Sequence, residues 1–183
     1  MQKIFIAIIT LFSFTVAHSQ IQKVELQASG LTCSMCSNSI NKALNSLSFV
    51  ESVTTDLNKN IFTVSIKPDM KPDLDAMKNK VEGAGFFVAN LWAHANFNQL
   101  AVKNDAHVTV DDMTFHFMDV KNQTLNGTQK IKLLDKNFVV AKEYKKMSKL
   151  TTMQCYESGY MDECCNVGRK TTKQRVYHVT IQG

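Results

Sequence analysis

The chain has 183 residues, and its 21 basic and 16 acidic side chains leave a formal charge of +5. This charge is small and the basic residues are scattered, so the composition does not favour a nucleic-acid-binding protein. The length allows one large or two small domains. The sequence offers no Ser/His/Asp set, carboxylate pair or phosphate-binding loop in a usable context, so we expect a protein that is not an enzyme.

Residues 1–19 have the pattern of a secretory signal peptide. Lys3 precedes the apolar run 4–16, and Ala17-His18-Ser19 is a small-x-small cleavage site. The apolar run is shorter than the roughly 20 residues that a membrane-spanning helix needs. We therefore predict an exported protein, periplasmic or secreted, that has no stable membrane span once the signal peptide is removed.

The stretch Gly30-Leu31-Thr32-Cys33-Ser34-Met35-Cys36 lies where a strand pattern changes to a helical one. Residues 24–28 alternate as a strand does, and apolar residues then recur at helical spacing, at Ile40, Ala43, Leu44 and Leu47. Two thiols three residues apart at a helix start face the same side, and the helix N-terminus favours thiolate over thiol. Thiolates select soft metal ions, but redox centres and half zinc sites use the same C-x-x-C spacing.

The next segments continue as strand, strand, helix and strand. Residues 49–57 are rich in β-branched side chains, a turn follows at 58–60, and residues 62–66 alternate. Asp73 is a plausible N-cap for a helix that ends near Gly83 and Gly85, before a final strand that starts at Phe86.

The resulting order β-α-β-β-α-β is that of a ferredoxin-like domain, which we assign to residues 20–95 of an α+β protein. Two helices would cover one face of a four-stranded antiparallel sheet. The candidates for its core are Leu44, Leu47, Phe62, Val64, Met77 and Val81.

Residues 22–92 resemble the heavy-metal-associated domain family, which includes copper chaperones, copper-ATPase metal-binding domains and the periplasmic mercury-binding protein. The family pattern Gly-Met-Thr-Cys-x-x-Cys is kept at Gly30, Thr32, Cys33 and Cys36, with Leu31 in place of Met. The resemblance implies a metal carrier or sequestering protein that binds its ion through Cys33 and Cys36. It also implies that Phe86 lies in a loop near the metal, although core packing is its expected main role.

The resemblance makes Cu(I) the leading ion, with Hg(II), Zn(II) or another soft metal as alternatives. It implies as partner a metal-exchanging envelope protein or a metal transporter. A thiol–disulfide redox protein, a mercury-binding protein and an adaptor for another envelope protein stay open as alternative functions. A disulfide between Cys33 and Cys36 would abolish metal binding, so the ligand role requires that the pair be kept reduced or be loaded early.

Residues 106–183 read as a small β-rich domain, for instance an OB-like barrel, after a polar linker at 96–105. Asn126-Gly127 predicts a hairpin between strands at 113–120 and 129–134. A short helix is expected from Val140 to Met147, and a last strand around Tyr177, Val179 and Ile181.

Soft donors are concentrated between residues 147 and 165, at Met147, Met153, Cys155, Met161, Cys164 and Cys165. They could form a second soft-metal site, but a disulfide from Cys155 to Cys164 or Cys165 is the preferred prediction for an exported domain. With five cysteines in all, at least one is left over or shared with another molecule. The remaining histidines have no ligand-like spacing and are expected to lie at the surface or in the packing: His94, His107, His116 and His178.

Overall fold

A computed structural model describes residues 21–31, 34–161 and 173–182 of the chain. The predicted signal peptide lies outside these residues. The first half consists of β1 (Ile21–Ser29), α1 (Ser34–Asn45), β2 (Val50–Asp56), β3 (Ile61–Ile66), α2 (Leu74–Gly83) and β4 (Phe87–Val102). The second half consists of β5 (Ala106–Val110), β6 (Met113–Phe117), β7 (Gln123–Leu133), α3 (Ala141–Met147), α4 (Cys155–Ser158), β8 (Tyr160–Met161) and β9 (Gln174–Gln182). None of the described helices is long and apolar enough to cross a membrane.

The first half has the predicted ferredoxin-like arrangement. Its four strands lie in the order β2-β3-β1-β4, and all three pairings are antiparallel. Strand β1 alternates as expected, with Val24, Leu26 and Ala28 buried. Of the six predicted core residues, Leu47 is partly buried and the others are fully buried. The helices α1 and α2 contact each other, and their apolar residues pack in one cluster with the sheet.

The predicted N-cap of α2 is present. Asp73 has extended backbone dihedrals, and its carboxylate accepts a hydrogen bond of 2.8 Å from the backbone N–H of Ala76. This bond satisfies one of the amide groups that the first helical turn leaves unpaired. After the helix, Gly85 adopts a φ of +88°, which turns the chain into β4.

Strand β4 runs from Phe87 to Val102, well beyond the end of the family resemblance. The segment 96–105, predicted to be a linker, is therefore strand in its first seven residues. Strand β7 pairs with this extension, with an irregularity in register between Phe97 and Leu100. The backbone groups of a polar segment pair as readily as those of an apolar one, so composition alone did not indicate the continuation.

The strands of the second half join the same sheet, in the order β4-β7-β9-β6-β5. A separate OB-like barrel is thus not confirmed. Strand β9, the last in sequence, lies between β7 and β6, antiparallel to the first and parallel to the second. The predicted hairpin at Asn126-Gly127 is wrong, because Gly127 lies inside β7 and pairs with Phe97 beside the register irregularity. Its φ of +72° is the reason for glycine here, so the Asn-Gly signal marks a place inside a strand, opposite a register irregularity in β4, instead of a turn.

The two faces of the second half are covered differently. Phe115, Phe117 and Val179 belong to the same apolar cluster as the core of the first half. His116 and His178 alternate with them and are fully buried on the opposite face, where Met118, Leu134, Met147 and Tyr156 form a smaller cluster. Helices α3 and α4 contribute to that cluster, so they cover this second face. The predicted helix at 140–147 and the predicted last strand are both confirmed.

Candidate metal centres

The first candidate centre lies at the start of α1, where β1 ends. Gly30 has a φ of +86°, which reverses the chain direction between the strand and the helix. Cys36 lies in the first turn of α1 and is half-buried, so its thiol is within reach of solvent. Cys33, the other predicted ligand, lies outside the described residues together with Thr32.

Cys36 lies at the positive end of the dipole of α1. The first turn of α1 contains no acidic residue, so no side-chain carboxylate there competes for the positive end of the helix dipole. Met35 is 79% exposed and directs its thioether away from the core. The apolar face of the helix is formed instead by Ile40 and Leu44, which are fully buried. The buried face holds the helix against the core, and the N-terminal turn stays at the surface.

The loop before β4 lies next to this turn. Ser29 at the end of β1 pairs with Phe87, which brings the Gly85–Phe86 segment beside the strand–helix junction. Phe86 packs against the main core cluster, whereas Phe87 is 68% exposed. The packing role expected for Phe86 is thus present.

A second group of donor atoms lies at the other end of the sheet. One ligand atom each of His107, His116 and Cys155 lies within 4.8 Å of the other two. The Cys155 sulfur is 3.3 Å from His107 Nε2 and 3.9 Å from His116 Nδ1. His116 and Cys155 are fully buried, and His107 is half-buried.

The histidines of this group take their positions from strand register. His107 pairs with His116 across the β5–β6 hairpin, and His116 pairs with His178 across β6 and β9. The ring centroids of His107 and His116 are 4.6 Å apart, and those of His116 and His178 are 5.0 Å apart. The pKa of His116 is lowered to about 4, mainly by burial and to a smaller extent by the neighbouring His178 and His107. His116 is therefore neutral at pH 7, and one of its ring nitrogens keeps a lone pair.

Sequence reasoning missed His107 and His116, although a signal for their proximity exists. Asp111 and Asp112 both have positive φ, at 49° and 65°, and form a two-residue turn between β5 and β6. Such a turn fixes the register of the strands, and in this register His107 stands opposite His116. The prediction that these histidines are packing residues did not use that constraint.

The other soft donors predicted near Cys155 are dispersed or not described. Met147 is buried in the smaller apolar cluster, where it acts as a packing residue. Met161 lies in β8 and pairs with Gln174. Cys164 and Cys165 lie outside the described residues, so the predicted disulfide to Cys155 stays a prediction.

The first half thus defines a class of protein: a ferredoxin-like domain with a cysteine in the first turn of its first helix. Residues 25–87 match the family model of the heavy-metal-associated domain. The match contains both predicted ligands, Cys33 and Cys36. A comparison with curated proteins finds no match.

Solved structures similar to this chain include proteins of copper handling, and the similarity covers little more than a third of it. The yeast copper transporter domain CCC2A is 32% identical over 36% of this chain and 88% of that domain, with a TM-score of 0.32. The CopZ metallochaperone is 27% identical over 37% of this chain and 98% of its own, with a TM-score of 0.34. The water-soluble region of the P-type ATPase CopA from Bacillus subtilis is 26% identical over 39% of this chain and 47% of that region, with a TM-score of 0.35.

Proposed function

We propose that this chain is an exported heavy-metal-binding protein that carries or sequesters Cu(I) between Cys33 and Cys36. The observation that supports the proposal is the match of residues 25–87 to the heavy-metal-associated domain family, which contains both thiols. The half-buried position of Cys36 in the first turn of α1 agrees with a surface site.

Two thiolates suit the transfer of a soft ion. Soft sulfur ligands select Cu(I), and two of them leave the ion open to a third. A cysteine of a partner protein can bond to the ion before one of the first two sulfurs leaves. The ion then moves without being released to water. A closed site with four ligands would not permit this exchange.

The partner that fits this chemistry is a second thiol-bearing protein of copper handling, such as a metal transporter or another metal-exchanging envelope protein. In an exported protein the two thiols must stay reduced or bind their ion early, because extracellular compartments favour disulfides. Residues 1–19 supply the export signal in this proposal.

An anaerobic Cu(I) titration against a chromophoric competitor tests the proposal. The reduced protein is compared with the Cys33→Ser/Cys36→Ser double variant, and a Met35→Leu variant serves as the control at the exposed position between the thiols. We expect one tightly bound ion that the double variant loses and the control keeps. Tight binding that survives in the double variant unchanged would show that the site lies elsewhere.

Two further measurements distinguish the proposed function from its alternatives. Competition by Hg(II) and Zn(II) against bound Cu(I) identifies the preferred ion. The reduction potential of the Cys33–Cys36 pair is measured against glutathione buffers, because a redox protein needs a disulfide that cycles near the potential of its compartment. A pair that cycles there and binds Cu(I) weakly would favour the thiol–disulfide redox function.

A further inference from the structure

We propose that His107, His116 and Cys155 form a second metal site, which binds a soft or borderline transition-metal ion such as Cu(I) or Zn(II). The site lies on the face of the sheet that α4 covers, on strands that the family match does not include. It does not depend on the function proposed for Cys33 and Cys36.

The distances between the donor atoms fit an ion. With a metal–sulfur bond of about 2.3 Å and metal–nitrogen bonds of about 2.0–2.1 Å, sulfur and nitrogen around one ion lie roughly 3.5–3.8 Å apart. The distances from Cys155 Sγ to His107 Nε2 and to His116 Nδ1, 3.3 and 3.9 Å, lie on either side of that range. The two nitrogens lie within 4.8 Å of each other, so a closing movement of the side chains would bring both to bonding distance from one ion.

His116 is held in the orientation that a metal ligand requires. Its Nε2 lies 2.9 Å from Asp105 Oδ1, and since an ionised carboxylate can only accept, this nitrogen carries the proton. The lone pair is then on Nδ1, which faces the sulfur of Cys155. Asp105 is itself fixed, because its backbone N–H donates to the carbonyl of Phe117 at 2.8 Å. Histidine ligands of metals usually donate their other N–H to a carboxylate in this way.

A third imidazole next to the group repeats the arrangement. His178 Nδ1 lies 3.0 Å from Asp135 Oδ1, so this nitrogen donates a hydrogen bond to the carboxylate. His178 Nε2 is buried and has no hydrogen-bond partner among the described residues. A buried polar atom without a partner is costly in a protein that binds nothing there. The nitrogen belongs to a ring whose centroid lies 5.0 Å from that of His116, beside the three proposed ligands.

The donor set selects the class of ion. Imidazole nitrogen and thiolate sulfur suit copper and zinc, whereas Mg²⁺ and Ca²⁺ require oxygen ligands. On binding, the Cys155 thiol loses its proton to solvent, and the sulfur bonds to the ion as thiolate. His107, the most accessible of the three ligands, lies on the side from which an ion can enter.

Co(II) is the probe that shows directly whether Cys155 binds a metal. In the reduced variant Cys33→Ser/Cys36→Ser/Cys164→Ser/Cys165→Ser, Cys155 is the single cysteine of the chain. We expect this variant to bind one Co(II) per chain with a thiolate-to-metal charge-transfer band. Zn(II) and Cu(I) are then titrated against the bound Co(II), and the ion that displaces it at the lower concentration is the preferred one. Displacement by neither ion, or a missing band, would overturn the proposal.

Single substitutions in this background test each ligand. Cys155→Ser should abolish the band, and His107→Gln should weaken Co(II) binding by about tenfold or more. Asp105→Asn should weaken it by roughly 10- to 100-fold through the orientation of His116. His94→Gln is the matched control, because His94 is a half-buried histidine that binds Glu25 on another part of the sheet. Equal effects of His94→Gln and His107→Gln would contradict the proposal.

Two readouts separate metal binding from a purely structural role. Zn(II) should raise the thermal midpoint of the background variant and leave that of its Cys155→Ser derivative unchanged, because a ligand stabilises only the state that binds it. The unsubstituted protein, isolated without reductant and alkylated, should show Cys155 modified as a thiol. Cys155 found in a disulfide would overturn the second site and leave the proposal for Cys33 and Cys36 intact.

Discussion

Arg175 on β9 and Asp75 on α2 form a two-point ion pair between the two halves of the chain. The guanidinium Nε donates to Asp75 Oδ2 at 2.8 Å, and Nη2 donates to Oδ1 at 3.3 Å. Arg175 Nη1 also donates to Asp135 Oδ1 at 2.9 Å, and Asp135 is buried. The hydroxyl of Tyr177 donates to Asp75 as well, at 3.2 Å. These contacts fix the last strand of the chain against a helix of the ferredoxin-like domain.

Replacement of Asp75 by alanine should destabilise the protein. The change removes two hydrogen bonds of Arg175, which keeps its bond to Asp135, and takes the Asp75 acceptor from the partly buried Tyr177 hydroxyl. We expect a loss of about 2 kcal/mol. Urea denaturation measures this loss in the free energy of unfolding. The control is Lys71→Met, because Lys71 and Asp112 also connect the two halves, at 2.8 Å, but their side chains are 52% and 94% exposed. The control should not change the stability measurably, and equal losses would show that burial of the Arg175 pair contributes nothing.

Gly127→Ala should destabilise the sheet, whereas Gly83→Ala should not. Both positions have open space for a Cβ, so the effect reports backbone conformation. Gly127 has a φ of +72°, which an L-residue adopts at a cost of roughly 1–2 kcal/mol. Gly83 lies at the end of α2, where alanine should add roughly 0.4–1 kcal/mol of stability. Chemical denaturation of both variants measures whether each substitution raises or lowers the free energy of unfolding. A stabilising Gly127→Ala would contradict the positive φ of Gly127.

The ion pair of Lys130 and Glu25 should make part of the stability depend on pH. Burial raises the pKa of Glu25, but hydrogen bonds from Lys130, at 2.6 Å, and from His94 outweigh it and hold the pKa below its usual 4.5. A carboxyl with a lowered pKa stabilises the folded protein above pH 4.5, and this contribution is lost as the pH falls through the folded-state value. Lys130→Met should therefore cost about 1 kcal/mol at pH 7 and less at lower pH.

Denaturation curves of the Lys130→Met variant and the unsubstituted protein, recorded from pH 7 to pH 3, test this dependence. The difference in stability should narrow below pH 4.5. Lys59→Met is the control, because Lys59 lies 4.0 Å from Asp56 at the surface and should give no pH-dependent difference. A difference for Lys130→Met that stays constant over the whole range would mean that Lys130 acts through its contact with the Trp92 ring instead.

Phe86→Ala should affect folding more than metal binding. Phe86 packs against the main core, so its truncation should cost about 2 kcal/mol, below the range for a fully buried phenylalanine. Phe87→Ala, at the exposed neighbour, should change stability by less than about 0.5 kcal/mol. Cu(I) affinity, measured with the same competitor as above, should be unchanged in both variants. A weaker affinity in Phe86→Ala alone would assign the side chain a direct part in shielding the ion.

The first half could be predicted in detail because its signals are local. Period-2 alternation around Val24 and Leu26, helical spacing at Ile40 and Leu44, and the cap at Asp73 each specify their own element. The family resemblance agreed with that order and added the sheet arrangement. Both came from residues close together in sequence.

The strand order of the second half could not be predicted, because its strands pair with segments that are far away in the sequence. Strand β9 enters between β7 and β6, and no local pattern indicates which strands a final segment will separate. Asn126-Gly127 has the composition of a hairpin turn, yet the requirement for a positive φ is met equally by a bulge inside a strand. The missing information was therefore the strand order, because it decides whether the glycine lies in a hairpin turn or inside a strand.

The amino-acid sequence by itself determined a ferredoxin-like domain that matches the heavy-metal-associated family model, and the pair of thiols at its first strand–helix turn, because neighbouring residues carry both signals. Only the tertiary structure decided that β4 continues into the second half and that His107, His116 and Cys155 meet. Residues on adjacent strands become neighbours through register, and α4 brings Cys155 to them from about 40 residues further along the chain. Contacts of that kind depend on the order of strands in the sheet, which side-chain periodicity does not encode.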